Sequence, residues 1–164
     1  MFLFGGFMAK KIILSLVLFI VIYGICTAQT AEKVEEIINS EFLSKGQACY
    51  LIGTATGKVN DNESYDEAFK SYSDLKMFKN ASANEPIKLA EFSNLVLQNA
   101  GSRGGLWYRV TKTPHYALRY FKLKGIVRQN AVGSEPITIA QAFDILAKIE
   151  IADNLEGEIR NEKK

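Results

Sequence analysis

Within seventeen residues the chain gathers Arg103, Trp107, Tyr108, Arg109, Lys112, His115 and Arg119. The mixture suits one kind of chemistry. Aromatic faces pack on the apolar faces of sugar rings, and guanidinium groups grip anions. Arg103, Trp107, Tyr108, Arg109, His115 and Arg119 are therefore the candidate ligand-binding group. The competing reading of the same residues is a core tryptophan flanked by solvated bases, and the exposure of Trp107 separates the two.

Catalysis is less well served. His115 is the single histidine, and a general base needs a positioned partner and a nucleophile. No G-x-S-x-G motif accompanies it, and a place in the first turn of a helix makes it a solvent-facing residue. Cys49 stands beside Ala48 and Leu51, where a lone cysteine packs as a small apolar side chain. Gly101-Ser-Arg-Gly-Gly105 lacks the Lys-Ser/Thr pair of a P-loop. It reads as the end of a helix, where glycine relieves left-handed strain. Too few cysteine and histidine ligands are present for a zinc site. No enzyme, cofactor or metal site is expected, although carboxylates paired across distant segments stay open.

The elements that must carry these residues come from an internal repeat. Asn80–Ala90 reads NASANEPIKLA and Asn130–Ala140 reads NAVGSEPITIA, six identities in eleven positions at an offset of fifty. Leu43-Ser-Lys-Gly-Gln-Ala-Cys-Tyr-Leu-Ile aligns with both. That alignment puts Gln47, Glu91 and Gln141 in one column and Leu51, Leu95 and Ile145 in another. Ser44 with Gln47, and Thr138 with Gln141, have the spacing of a capping box. Lys88 breaks that pattern in the middle copy, while Pro86 and Pro136 precede the helix starts without removing a helical bond.

Ser64–Phe78 and Thr113–Val127 carry apolar residues at three and four, predicting amphipathic helices with aromatic inner faces. Ala31–Leu43 predicts an extra leading helix, and Leu106–Val110 a short extended segment. The expected fold is all-α: helix-loop-helix repeats, starting near 43, 87 and 137, that share one core. The repeat domain spans 29–151, followed by a charged tail over 152–164.

The leader is separate from the fold. Lys10 and Lys11 precede an apolar run from Ile12 to Cys26 and a small-residue exit, the pattern of a signal peptide over 1–28, cleaved after Ala28. Lipid attachment at Cys26 is the second outcome, although Ile25 is a large residue for that position. A retained span is the third. Its fifteen residues reach only about 22 Å against a hydrocarbon core of ~30 Å. Met8 is an alternative start to Met1. Removing 1–28 leaves 136 residues with 18 basic and 18 acidic side chains. That balance disfavours nucleic acid, and it leaves the leader, or a lipid on Cys26, as the membrane contact.

These residues resemble surface-layer homology (SLH) modules. Ala117-Leu-Arg-Tyr-Phe-Lys-Leu-Lys-Gly-Ile-Val127 is similar to the first helix of such a module. Ile137-Thr-Ile-Ala-Gln141, Ile87-Lys-Leu-Ala-Glu91 and Leu43-Ser-Lys-Gly-Gln47 resemble its I-T-R-A-E opening. Gly104–Arg119 is also similar to a segment of exported SLH-like proteins of spirochaetes. The likeness covers roughly 43–150 and implies a three-lobed helical scaffold. It also implies an anionic wall polysaccharide held by the arginine column, which here reads Lys45, Leu89 and Ile139. Only Lys45 keeps a cation, so Lys45 joins the candidate ligand-binding residues. The expected protein is a non-enzymatic one of the periplasm or cell envelope, attaching to peptidoglycan or a wall-linked polymer. The alternative is a protein-interaction module of an envelope assembly.

Overall fold

The computed structural model describes residues 31–99 and 104–149. The leader, Arg103 and the 152–164 tail lie outside the described residues. Two compact units divide at Ile38. The first contributes a leading helix, α1, over 31–38. The second holds α2 (Lys45–Ala55), α3 (Tyr65–Lys70), a 3-10 turn (Lys76–Phe78), α4 (Leu89–Asn99), α5 (Leu106–Thr111) and α6 (Pro114–Leu123). A last helix, α7, runs over 139–149. The fold is all-α. Among the described residues, extended pairing is confined to isolated antiparallel bridges, Phe42 with Thr138, Ser44 with Pro86, and Lys88 with Pro136.

Those bridges belong to a closed cycle. Leu43 N–H donates to Ile137 O at 3.1 Å, Ile137 N–H to Ile87 O at 3.0 Å, and Ile87 N–H to Leu43 O at 2.9 Å. All three side chains are 0 % exposed. Burying each contributes about 2 kcal/mol before conformational entropy is subtracted. One helix leaves from just beyond each corner, α2, α4 and α7.

The first-turn amides of two of these helices find acceptors in the neighbouring loop. Lys45 N–H donates to Glu85 O at 2.9 Å and Gly46 N–H to Ala83 O at 2.8 Å. Likewise, Leu89 N–H donates to Glu135 O at 2.9 Å and Ala90 N–H to Gly133 O at 3.1 Å, with the acceptors fifty residues on. Backbone donors that a helix start leaves orphaned are thus satisfied between segments.

Side-chain caps complete the starts. Ser44 and Gln47 exchange both capping-box bonds, at 3.0 and 3.1 Å. Thr138 and Gln141 do the same at 3.2 and 3.3 Å. The middle copy makes only the return bond, Lys88 N–H to Glu91 Oε2 at 3.1 Å, because lysine has no acceptor to offer. Ser64 and Glu67 form a further box at α3.

Helix α3 packs on α2, and α6 packs on α4. The aligned inner positions agree: Ala68 and Ala117 are fully buried, as are Tyr72 and Phe121.

Four expected elements are corrected, one of them α6, which stops at Leu123 rather than Val127 as the chain turns at Gly125, φ +72°. Helix α3 stops at Lys70 rather than Phe78, since Ser71, Ser73 and Asp74 favour turns over helix interior. The leading helix ends at 38, because Phe42 to Ser44 must extend to join the cycle. Leu106–Val110 is helical, not extended. Gly104 at φ +60° and Lys112 at φ +48° bracket the single turn-and-a-half of α5.

Candidate functional site

Helix α6 opens with Pro114 at its first position, where a missing N–H is harmless. It then presents His115, Leu118, Arg119 and Lys122 at i, i+3, i+4 and i+7, a single face. These four side chains form one wall of a groove of ≈ 650 Å³. Ala90 at the start of α4 and Gly133 with Ser134 form the other side. Gly133 keeps the floor thin. A Cβ there would lie 2.7 Å from Leu118 Cδ2 and 3.2 Å from Ala90 Cβ, so a side chain would have to displace the groove's lining. The polar wall is basic, and no carboxylate is among its lining residues.

An aromatic ladder leads to this wall. The rings of Trp107 and Tyr116 are stacked, 6.3 Å apart at 21°. Tyr116 meets His115 edge-on, 5.2 Å apart at 82°. Trp107 is 63 % exposed, so one ring face is backed by Tyr116 while much of the indole meets solvent. This excludes the core-tryptophan reading.

The expected cluster therefore divides. His115 and Arg119 line the groove, and Trp107 joins through the ladder. Arg109 on the neighbouring helix α5 and Lys112 just past its end are exposed. Tyr108 is buried and donates its hydroxyl to Asn94 Oδ1 at 3.1 Å. Burial pushes its pKa up to about 12. It anchors α5 to α4 and has no open surface for a ligand.

Lys45 is placed differently again. It is buried, and its ammonium lies 2.6 Å from Glu85 Oε2, a carboxylate that is 50 % exposed. The hydrogen bond and charge of Lys45 hold the Glu85 carboxyl below its ordinary value. Leu89 and Ile139, which share its column, are buried too. The cation thus completes an internal pair, and Lys45 lines neither groove described here.

Two features escaped the sequence reading. Lys122 supplies a second fixed cation to the groove wall beside Arg119, found by following α6 one more turn. The second is an acid-free run. No Asp or Glu occurs between Glu91 and Glu135, and Arg103, Arg109, Lys112, Arg119, Lys122, Lys124 and Arg128 all fall there. The flanking parts of the 29–164 chain carry eleven bases against eighteen acids. The zero balance of the whole conceals one strongly positive segment.

A second groove, of ≈ 450 Å³, lies between the 126–131 loop and α7. Its floor is Leu89, Ile126, Val127 and Ile145, and its rim is partly self-neutralised by Lys148 and Asp144 at 2.6 Å. It offers anions less than the first. Cys49 is fully buried, and desolvation pushes its thiol up to about 12 despite nearby Lys58. Among the described residues, no three metal-ligating side chains converge, and no helix is long and apolar enough to cross a membrane.

Comparisons with protein-family models, curated proteins and solved structures found no match to this chain.

Proposed function

We propose that this chain is an exported, SLH-like binding and scaffolding protein of the cell envelope, without catalytic activity. In this reading it attaches to an anionic wall-linked polymer. The observation that carries the reading is the groove walled by His115, Arg119 and Lys122, with Trp107 stacked on Tyr116 beside it. Arginine and lysine supply charge-assisted hydrogen bonds to carboxylate or phosphate groups, and the aromatic ladder offers a flat surface for sugar rings. The basic leader and apolar run support export. The ligand contact comes from α6 and α5 rather than from Lys45, whose charge is matched internally.

The test is retention of the full chain by purified cell-wall sacculi, with Arg119→Glu/Lys122→Glu as the comparison. Both side chains line the groove, so reversal leaves the core intact. Retention of the unaltered chain should fall by about tenfold or more on reversing two charges at the contact. Retention no better than that of a neutral control protein, or equal retention of the reversed variant, refutes the proposal.

A further inference from the structure

We infer that helix α5 is a docking face for an anionic lipid bilayer. Leu106 and Val110 are one helical turn apart, with Trp107 between them on the same side. They are 72 %, 74 % and 63 % exposed. Tyr108, on the opposite side, is the residue that holds the helix to the body through Asn94. An aliphatic pair with a tryptophan, turned outward on a helix anchored from behind, has no folding reason to be apolar.

Charge decides what covers it. Arg109 and Lys112 flank the patch and are exposed. The whole segment between Glu91 and Glu135 carries seven cations and no acid. Cations around an apolar centre match a surface of anionic headgroups over acyl chains, and tryptophan prefers that boundary. A hydrated wall polymer would satisfy the cations and leave Leu106 and Val110 in water, so the aliphatic pair favours the bilayer. This face lies outside the groove lining and does not rest on the wall-polymer reading.

Trp107 is the single tryptophan of the chain, so its emission reports this face whatever else of the chain touches lipid. The full chain is titrated with vesicles of phosphatidylglycerol and phosphatidylcholine in equal parts, and with phosphatidylcholine alone. The expected result is a blue shift and shielding from acrylamide on the anionic vesicles only, reversed by salt at about 0.5 M. Leu106→Asn/Val110→Asn should weaken the partition giving the shift by at least about tenfold. Arg109→Gln/Lys112→Gln should weaken it by about thirtyfold. Both pairs keep Trp107 and are exposed, and an unchanged far-ultraviolet spectrum checks the fold. Two outcomes overturn the inference: no shift on anionic vesicles, or an equal shift on neutral ones.

Discussion

The closed cycle of Leu43, Ile87 and Ile137 makes a quantitative demand on stability. Ile87→Ala removes buried carbons from a site with 0 % exposure, where such truncations cost about 2–5 kcal/mol. A chain of this size has a urea slope of roughly 1–2 kcal/mol per molar, so a mid-range loss lowers the unfolding midpoint by about 2 M. Total stability of small domains is about 5–15 kcal/mol, so the variant remains measurable. Leu43 and Ile137 occupy equivalent corners and are equally buried. Leu43→Ala and Ile137→Ala should therefore cost similar amounts, each in one transition seen alike by far- and near-ultraviolet dichroism. Val132→Ala, at a half-exposed loop position, should stay within about 0.5 kcal/mol. The reasoning fails if Ile137→Ala costs under about 1 kcal/mol, or if its helical signal is lost separately from the rest.

Two further outcomes follow from the buried ionisable groups. At neutral pH Glu85→Gln should lower the melting temperature, because Lys45 keeps its buried ammonium without a carboxylate. Lys45 depresses the Glu85 pKa below its ordinary 4.5. The contribution is therefore full above that value and fades as pH falls through the depressed one. The melting temperatures of the two proteins should converge in acid, and a gap independent of pH would refute the pairing. With the Cys49 thiol at about 12, its thiolate fraction at pH 8 is on the order of one in ten thousand. Peptide mapping after treatment with a maleimide should show Cys49 unlabelled until denaturant is added. Fast labelling of the native chain would show that the pocket around it opens.

Much of the architecture was legible in the sequence because local chemistry and global packing agree there. The capping pairs at Ser44 and Thr138 fix two helix starts, and the apolar spacing around Ala68 and Ala117 marks two buried faces. Helix α5 was not legible, for a physical reason. Over six residues rich in aromatic and β-branched side chains, Leu106, Tyr108 and Val110 at a spacing of two read as one face of a strand, whereas the structure buries Tyr108 and leaves the other two exposed. What settles it is the backbone at Gly104 and Lys112, both left-handed. The site was half visible: the cation-aromatic mixture was evident, but spacing could not show that Tyr108 turns inward or that Lys45 meets Glu85. Lys122 and the acid-free segment were visible in principle, concealed by summing charge over the whole chain.

The cycle also sets the order of events during folding. Leu43 and Ile137 are 94 positions apart, so the hydrogen bond between them closes only after nearly the whole domain exists as chain. Synthesis or threading from the N-terminal end leaves Leu43 and Ile87 with one bond between them and two vacant partners. Everything before residue 137 must wait, greasy and incomplete, for the last segment to arrive. Long-range closure of this kind is slow and invites sticking to other chains, so a chaperone that shields the emerging chain would matter most before residue 137 appears.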